Sequence, residues 1–433
     1  MRRLLAVCVA VVMVSFLPRS LDAIMEYAPT DSVPVYRLII NGTQYIKAHP
    51  EDSGGYYLLG RLHSLAFAEN ARNLDVWRWA RGYDPAATLP QVAFLAGVPR
   101  LERTVPGKTL PAEAREHLVE SLRNYRRATE LKPKQPLAFL GLGWMLEQGA
   151  LFAEQVDAPF KNPPRRIAAQ EWRAEALVTY RYLAANSVSL VGSSSEPESP
   201  QEMLMEASQA ILRLLPGPDL SPEEKAETVR ARKAIESYQE SLKNNPAGRS
   251  RIISPIIFPL YGPAPLEALL APARVVSFDL AGNGVPAKWP WVNSDAGFLV
   301  WDPENRQHIA SGRQLFGSVT WWMFWRDGYA ALAALDDDGN GWLKGDELTG
   351  IAIWRDVNGN GVCDPGEVIS LRDAGILRIA VRATGRTSGM PFIPQGIQMN
   401  DGTFRPTYDW TPESLVSGAE YTGAKASAAE HFR

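Results

Sequence analysis

The sequence predicts a mainly α protein in two unequal parts, an N-terminal α–α repeat-like helical domain over residues 24–245 and a small α+β module over residues 275–412. Three observations carry that expectation. Small and aromatic residues recur at helical spacing between residues 55 and 245 and end on prolines. Six prolines then break the pattern between 246 and 274. Beyond them, two stretches place Asp, Asn, Gly and Glu at matching positions.

The chain opens with Arg2 and Arg3 before an apolar run from Leu4 to Leu17, and Leu21, Asp22 and Ala23 follow as a cleavage site. That order is the pattern of a secretory signal peptide, residues 1–23. An uncleaved anchor is the competing reading, but the run is short for a bilayer. No later stretch is long and apolar enough to span. Cleavage would remove three arginines and one aspartate, taking the formal charge from −3 to −5. A mildly acidic balance without basic runs argues against nucleic acid or an anionic membrane surface as partner. Cys8 would leave with the signal, so Cys363 would have no internal disulfide partner.

In the helical part, Ser121, Tyr125, Ala128 and Pro133 share their spacing with Ala234, Tyr238, Ser241 and Pro246. Phe139, Leu142, Gly143 and Leu146 have a second pattern in common with Tyr56, Leu59, Gly60 and His63, in which glycine lets two helix backbones approach. These segments resemble tetratricopeptide repeats, second and first helices respectively. Insertions at Asp157–Arg166 and Ser187–Pro200 break any fixed period, and a generic helical bundle is the plainer alternative. Ser221, Pro222 and Glu224 predict a capped helix start, with the helix running to about Asn244. Residues 246–274 read as a Pro-rich linker or wrapping segment. The Ala-, Ser-, Gly- and Glu-rich stretch 413–433 reads as a disordered tail.

The two acidic stretches are the most informative part of the chain. Calcium takes six to eight oxygen ligands, and a 12-residue EF-hand loop supplies them from positions 1, 3, 5, 7, 9 and 12, with glycine at position 6 for the sharp turn. Asp356, Asn358, Asn360, the Val362 carbonyl, Asp364 and Glu367 fill every position, around Gly361. Asp336, Asp338, Asn340, the Trp342 carbonyl and Glu347 do the same around Gly341, but Lys344 stands at position 9, where it cannot accept a bond. The first site is therefore expected to be the weaker. Asp, Asn and Gly also make ordinary polar turns, yet two complete loops twenty residues apart favour the metal reading. Position 8, where paired loops touch, holds Leu343 and Cys363, which gives Cys363 a packing role over that of a reactive thiol. Only Leu348–Arg355 separates the loops, room for about two helical turns, so one short helix is expected between them.

From Phe278 to Ile379 the chain resembles the calcium-binding module found beside RTX-type repeats in secreted bacterial proteins. The matching phrases are Phe278–Gly284, Gln314–Gly317, Gly328–Asp336 and Trp354–Asp356. The resemblance implies two further loops upstream, and both have lost ligands. Ala281 interrupts one, between Asp279 and Asn283. The other, from Asp302, reads Glu304, Arg306, Gln307, with Gln314 where an acidic residue is expected. At most weak metal binding is expected at either. The resemblance also brings self-cleavage at an Asp-Pro bond ahead of the module, but Ala271-Pro272 there lacks the carboxylate.

The five histidines show no metal-ligand spacing on one helix face, and no zinc, phosphate-loop or nucleophile motif is present. Eight of thirteen tryptophans fall between Trp289 and Trp354, either as core or as a sugar-stacking surface. The expectation is a non-enzymatic exported protein, secreted, periplasmic or at the cell surface. Calcium would staple its C-terminal module, and its helical half would meet a protein partner. The alternatives are a secreted enzyme or toxin-like protein with an active site in residues 55–245, and a surface glycan binder.

Overall fold

The computed structural model describes residues 33–72, 109–190, 200–244, 253–282 and 286–412. The expected signal peptide and C-terminal tail lie outside the described residues.

Seven helices are described in the N-terminal half: α1 (Val35–Ala48), α2 (Ser53–Arg72), α3 (Ala112–Leu131), α4 (Pro136–Leu151), α5 (Ala169–Leu190), α6 (Pro200–Leu214) and α7 (Pro222–Asn244). Proline stands at the first turn of α4, where its missing N–H costs nothing. At α7 the Ser221 N–H donates to Glu224 (2.9 Å) and the Glu224 N–H donates to the Ser221 hydroxyl (3.2 Å), the reciprocal cap its sequence predicts. Consecutive helices pack on one another, and α2 with α4 and α4 with α6 also touch. Glycine makes the close approaches possible. A Cβ on Gly60 would lie 2.8 Å from the Tyr125 ring, and one on Gly143 would lie 2.7 Å from that of Tyr180.

The C-terminal half overturns the expectation of a mainly α fold with a small α+β EF-hand-type module. It is built on a large, curled antiparallel sheet of nine strands. In chain order the strands are β1 (Ile256–Pro259), β2 (Leu270–Phe278), β3 (Ala287–Val292), β4 (Ala296–Trp301), β5 (Trp342–Lys344), β6 (Ile351–Trp354), β7 (Val368–Ser370), β8 (Ile376–Ala380), β9 (Gly385–Thr387), β10 (Met390–Met399) and β11 (Phe404–Asp409). The sheet order is β5-β8-β10-β11-β1-β4-β6-β7, with β9 on β10, while β2 and β3 form a separate ribbon. The one α-helix among the described residues of this half, α8 (Gly328–Ala333), starts where the Asp327 carboxylate caps the Ala330 N–H at 2.8 Å.

The physical reason lies in runs such as Phe298-Leu299-Val300-Trp301 and Ile351-Ala352-Ile353-Trp354, every residue of which is buried. Short continuous apolar runs carry no periodicity that separates a two-sided strand from a buried helix. In β4, Phe298 and Val300 belong to one core and Leu299 and Trp301 to another, the alternation a strand imposes. The stretch read as a Pro-rich linker supplies β1, which pairs with β11 and β4 in the middle of the sheet. Side chains of the helices enter both cores. Val35 and Leu38 of α1 and Leu62 and Leu65 of α2 join Phe258, Trp301 and Trp325.

Candidate metal-binding loops

Loop 1 (336–347) runs from α8 into and past β5, and loop 2 (356–367) connects β6 to β7. The intervening segment is therefore a turn and strand β6 rather than the expected helix. Strand β5 pairs with β8, placing Leu343 opposite Ile379. The two loops attach at opposite ends of the strand order and do not pair with each other.

Within each loop the same hydrogen bonds recur. The position 1 carboxylate accepts the N–H of position 5 (Asn340 to Asp336 and Asn360 to Asp356, both 3.1 Å) and that of position 6 (Gly341 and Gly361, both 2.8 Å). Asn340 and Asn360 accept from Trp342 and Val362 at 2.9 and 2.7 Å. The position 12 glutamate closes the ring. Glu347 accepts from Asp337 (2.8 Å) and Lys344 (3.1 Å), and Glu367 from Val357 (2.9 Å) and Asp364 (3.0 Å). Backbone N–H groups thus hold these oxygens in the ring, and both Asp336 oxygens, Asp356 Oδ1, Glu347 Oε2 and Glu367 Oε1 accept one such bond each, which leaves a second lone pair for a cation. The glycine at position 6 has φ of +88° in loop 1 and +72° in loop 2, a region costly for other residues.

Loop 1 brings one carboxylate oxygen each from Asp336, Asp338 and Glu347 within 4.8 Å of one another. Burial, and then the neighbouring Glu347 and Asp338 charges, push Asp336 above the ordinary carboxylate range. Burial and Glu367 do the same to Asp356. Gathered, half-desolvated anions of this kind fit a hard cation, because such an ion balances their charge with oxygen ligands alone. Lys344 does reach into loop 1, its Nζ lying 3.1 Å from Asp338, and that contact holds the Asp338 carboxyl below its usual range. In loop 2 the Asp364 carboxylate accepts instead from the Asn358 and Asn360 amides, at 2.7 and 2.9 Å.

Several contributors had no signal in the spacing. Trp291 donates its Nε1–H to Asp356 at 2.6 Å, and Trp354 donates to Glu367 at 3.2 Å. Asp337, at the unassigned position 2, accepts from Arg37 (2.8 Å) and Asn41 (2.7 Å) of α1. Cys363 is half-buried, its thiol pushed upward by burial. Six of the clustered tryptophans pack as core, since Trp289, Trp291, Trp301, Trp321, Trp325 and Trp354 are all buried. Half-buried Trp342 carries the Arg378 guanidinium 4.0 Å over its ring. In the helical half, folding unites two histidines that sequence separates. His63 and His117 meet Nδ1 to Nδ1 at 2.9 Å in a buried setting, and burial pushes His63 down to about 4.

No helix among the described residues is long and apolar enough to cross a membrane. Residues 266–404, which contain both loops, match the family model of the SPM domain. Over 146 residues the chain is 30% identical to a protein named iron-regulated protein FrpA, from Neisseria meningitidis serogroup C. That similarity covers 32% of this chain and 13% of the relative, so the likeness is to one segment of a much longer protein.

Proposed function

We propose that this chain is an exported, non-enzymatic calcium-binding protein. In this reading Ca²⁺ staples loops 1 and 2 to the curled sheet, and the helical half serves as a protein-interaction scaffold. Export rests on the residues from Arg2 to Ala23. The single observation that carries the calcium reading is the repetition, bond for bond, of one oxygen-lined ring in two separate loops. Asp, Asn and Glu oxygens without nitrogen or sulfur ligands suit a hard cation, and a 12-residue ring suits calcium's high coordination number.

Sites in extracellular modules have dissociation constants on the order of 0.1–1 mM and remain loaded outside the cell, which favours a structural role over signalling. A ligand that binds only the folded form at about 100 times its dissociation constant adds about 2.7 kcal/mol of stability. Titration calorimetry should therefore count two ions per chain, one fewer in Glu347→Gln and one fewer in Glu367→Gln. Excess chelator should lower the melting temperature of the wild type. A wild type that takes up no heat at millimolar calcium, and melts alike with and without chelator, ends this reading.

A further inference from the structure

We propose that residues 302–314 form a third loop of related construction, one residue longer than loops 1 and 2 and closed by the chain's own side chains in place of an ion. This rests on the reading of loops 1 and 2 as cation loops and extends it to a segment with a different ligand set.

The backbone of this segment matches loops 1 and 2 from position 1 to position 9, and its closing residue, Gln314, stands at position 13, one place later than Glu347 and Glu367 in theirs. With Asp302 as position 1, its carboxylate accepts the N–H of position 5 (Arg306, 2.8 Å) and of position 6 (Gln307, 2.9 Å), as Asp336 and Asp356 do in their loops. Loops 1 and 2 have positive φ at positions 4 and 6, on Gly339, Gly341, Gly359 and Gly361. Residues 305 and 307 have positive φ at the same positions, 51° and 53°, without being glycine. Asn and Gln are held there at a conformational cost, so the ring of bonds has to be closed by something strong.

Gln314 closes it. Its Oε1 accepts the N–H of position 9 (Ala310, 2.9 Å), the same bond that Glu347 and Glu367 make to Lys344 and Asp364. Its Nε2 donates to the His308 carbonyl at position 7 (2.9 Å), the backbone oxygen that faces the ion in a calcium loop. Both partners fix which end of the carboxamide is which, since an N–H needs oxygen and a carbonyl needs a donor. One carboxamide thus replaces the closing glutamate with one end and the ion with the other. The remaining acid, Glu304 at position 3, is neutralised by Arg306 at position 5, with contacts of 2.7 and 2.5 Å.

The third loop also answers what loop 2 pairs with. Cys363, at position 8 of loop 2, donates to the Gln307 carbonyl at 3.5 Å and receives the N–H of Ile309, the position 8 residue of the third loop. A metal-free loop would thereby give loop 2 a partner that stays folded at any calcium concentration.

Calorimetry on the full chain with calcium chloride tests the inference. The double variant Arg306→Asn with Gln314→Glu should bind one more ion than the wild type, because it restores a carboxylate and removes both internal donors. Asp302→Asn in the wild-type background should leave the count unchanged. A double variant with no added ion, or a lower count in Asp302→Asn, overturns the proposal. Gln314→Met supplies a check independent of that gain. Its melting temperature should fall equally with calcium and with chelator, whereas a fall seen only in chelator would mean that the wild-type loop holds an ion. Should the wild type bind nothing while the double variant binds one ion, the reading of loops 1 and 2 fails and this inference stands.

Discussion

The same carboxyl group behaves differently according to what surrounds it. At Lys344 the amine occupies Asp338, so Lys344→Asp should remove a competitor and add an oxygen at position 9. Tighter calcium binding at loop 1, by several-fold, is the expected outcome in a titration followed by Trp342 fluorescence. Unchanged affinity would place the amine outside the ion's reach. Asp409 is a contrasting case. Buried at the end of β11, it accepts the Gly328 N–H at 3.0 Å, and burial followed by the nearby Asp327 charge pushes it up to about 8. The folded chain then keeps a proton that the unfolded chain releases near 3.8. The contribution is fully present below that lower value and is lost as pH rises through about 8, at about 1.4 kcal/mol per pH unit. Asp409→Asn should therefore gain on the wild type between pH 5 and pH 8 in denaturant melts. An equal difference at both pH values would contradict a buried, protonated acid. No spacing rule marks Asp409, because its burial depends on Ile256, Gly317 and Gly328 coming together from distant parts of the chain.

Among elements, the helices were the more legible, because their signals are local. The Ser221 and Glu224 cap and the glycines at Gly60 and Gly143 sit where their spacing predicts. Aromatic rings fill the gaps those glycines leave, so glycine is the residue most sensitive to change in the helix contacts. A Cβ on Gly149 would stand 2.3 Å from the fully buried Trp172 ring, which Phe160 also packs edge-on at 5.0 Å. Gly149→Ala should cost about 1–3 kcal/mol through overpacking, despite its better helix propensity. A thermal melt of the variant no lower than that of the wild type would show that the α4–α5 contact relaxes freely. The strands were illegible for the opposite reason. Most are three to six residues long and several are apolar on both faces. The spacing of a metal loop, moreover, specifies the ring and not the element that follows it.

For the molecule as a whole, the helical half and the sheet are joined at loop 1. Arg37 donates to the Leu335 carbonyl at 2.7 Å and to Asp337 at 2.8 Å, while Asn41 donates to the Ala334 carbonyl at 2.9 Å and to Asp337 at 2.7 Å. These bonds grip the backbone one and two residues ahead of Asp336. A second link joins the two halves, with the buried Arg61 of α2 lying 5.0 Å over the Phe324 ring. A site whose entry is held by another element is coupled to that element, and the coupling is reciprocal. The double change Arg37→Ala with Asn41→Ala should weaken calcium at loop 1 by about 1 kcal/mol or more while leaving loop 2 unaffected. Calorimetry in a Glu367→Gln background reads loop 1 alone, and equal affinity with and without the α1 side chains would sever the link.

What sequence alone determined is what closes within a dozen residues. All the ring bonds of loops 1 and 2 run between positions 1 and 12 of one short segment, and the helix caps and glycine spacings are equally local. Tertiary structure alone decided the nine-stranded sheet, in which Ile256 pairs with Asp409, and the donors that Trp291 and Arg37 bring to the loops from far along the chain. Such contacts depend on which apolar faces find each other across long separations. Local spacing carries no record of that choice, because a buried strand and a buried helix can be written in the same residues.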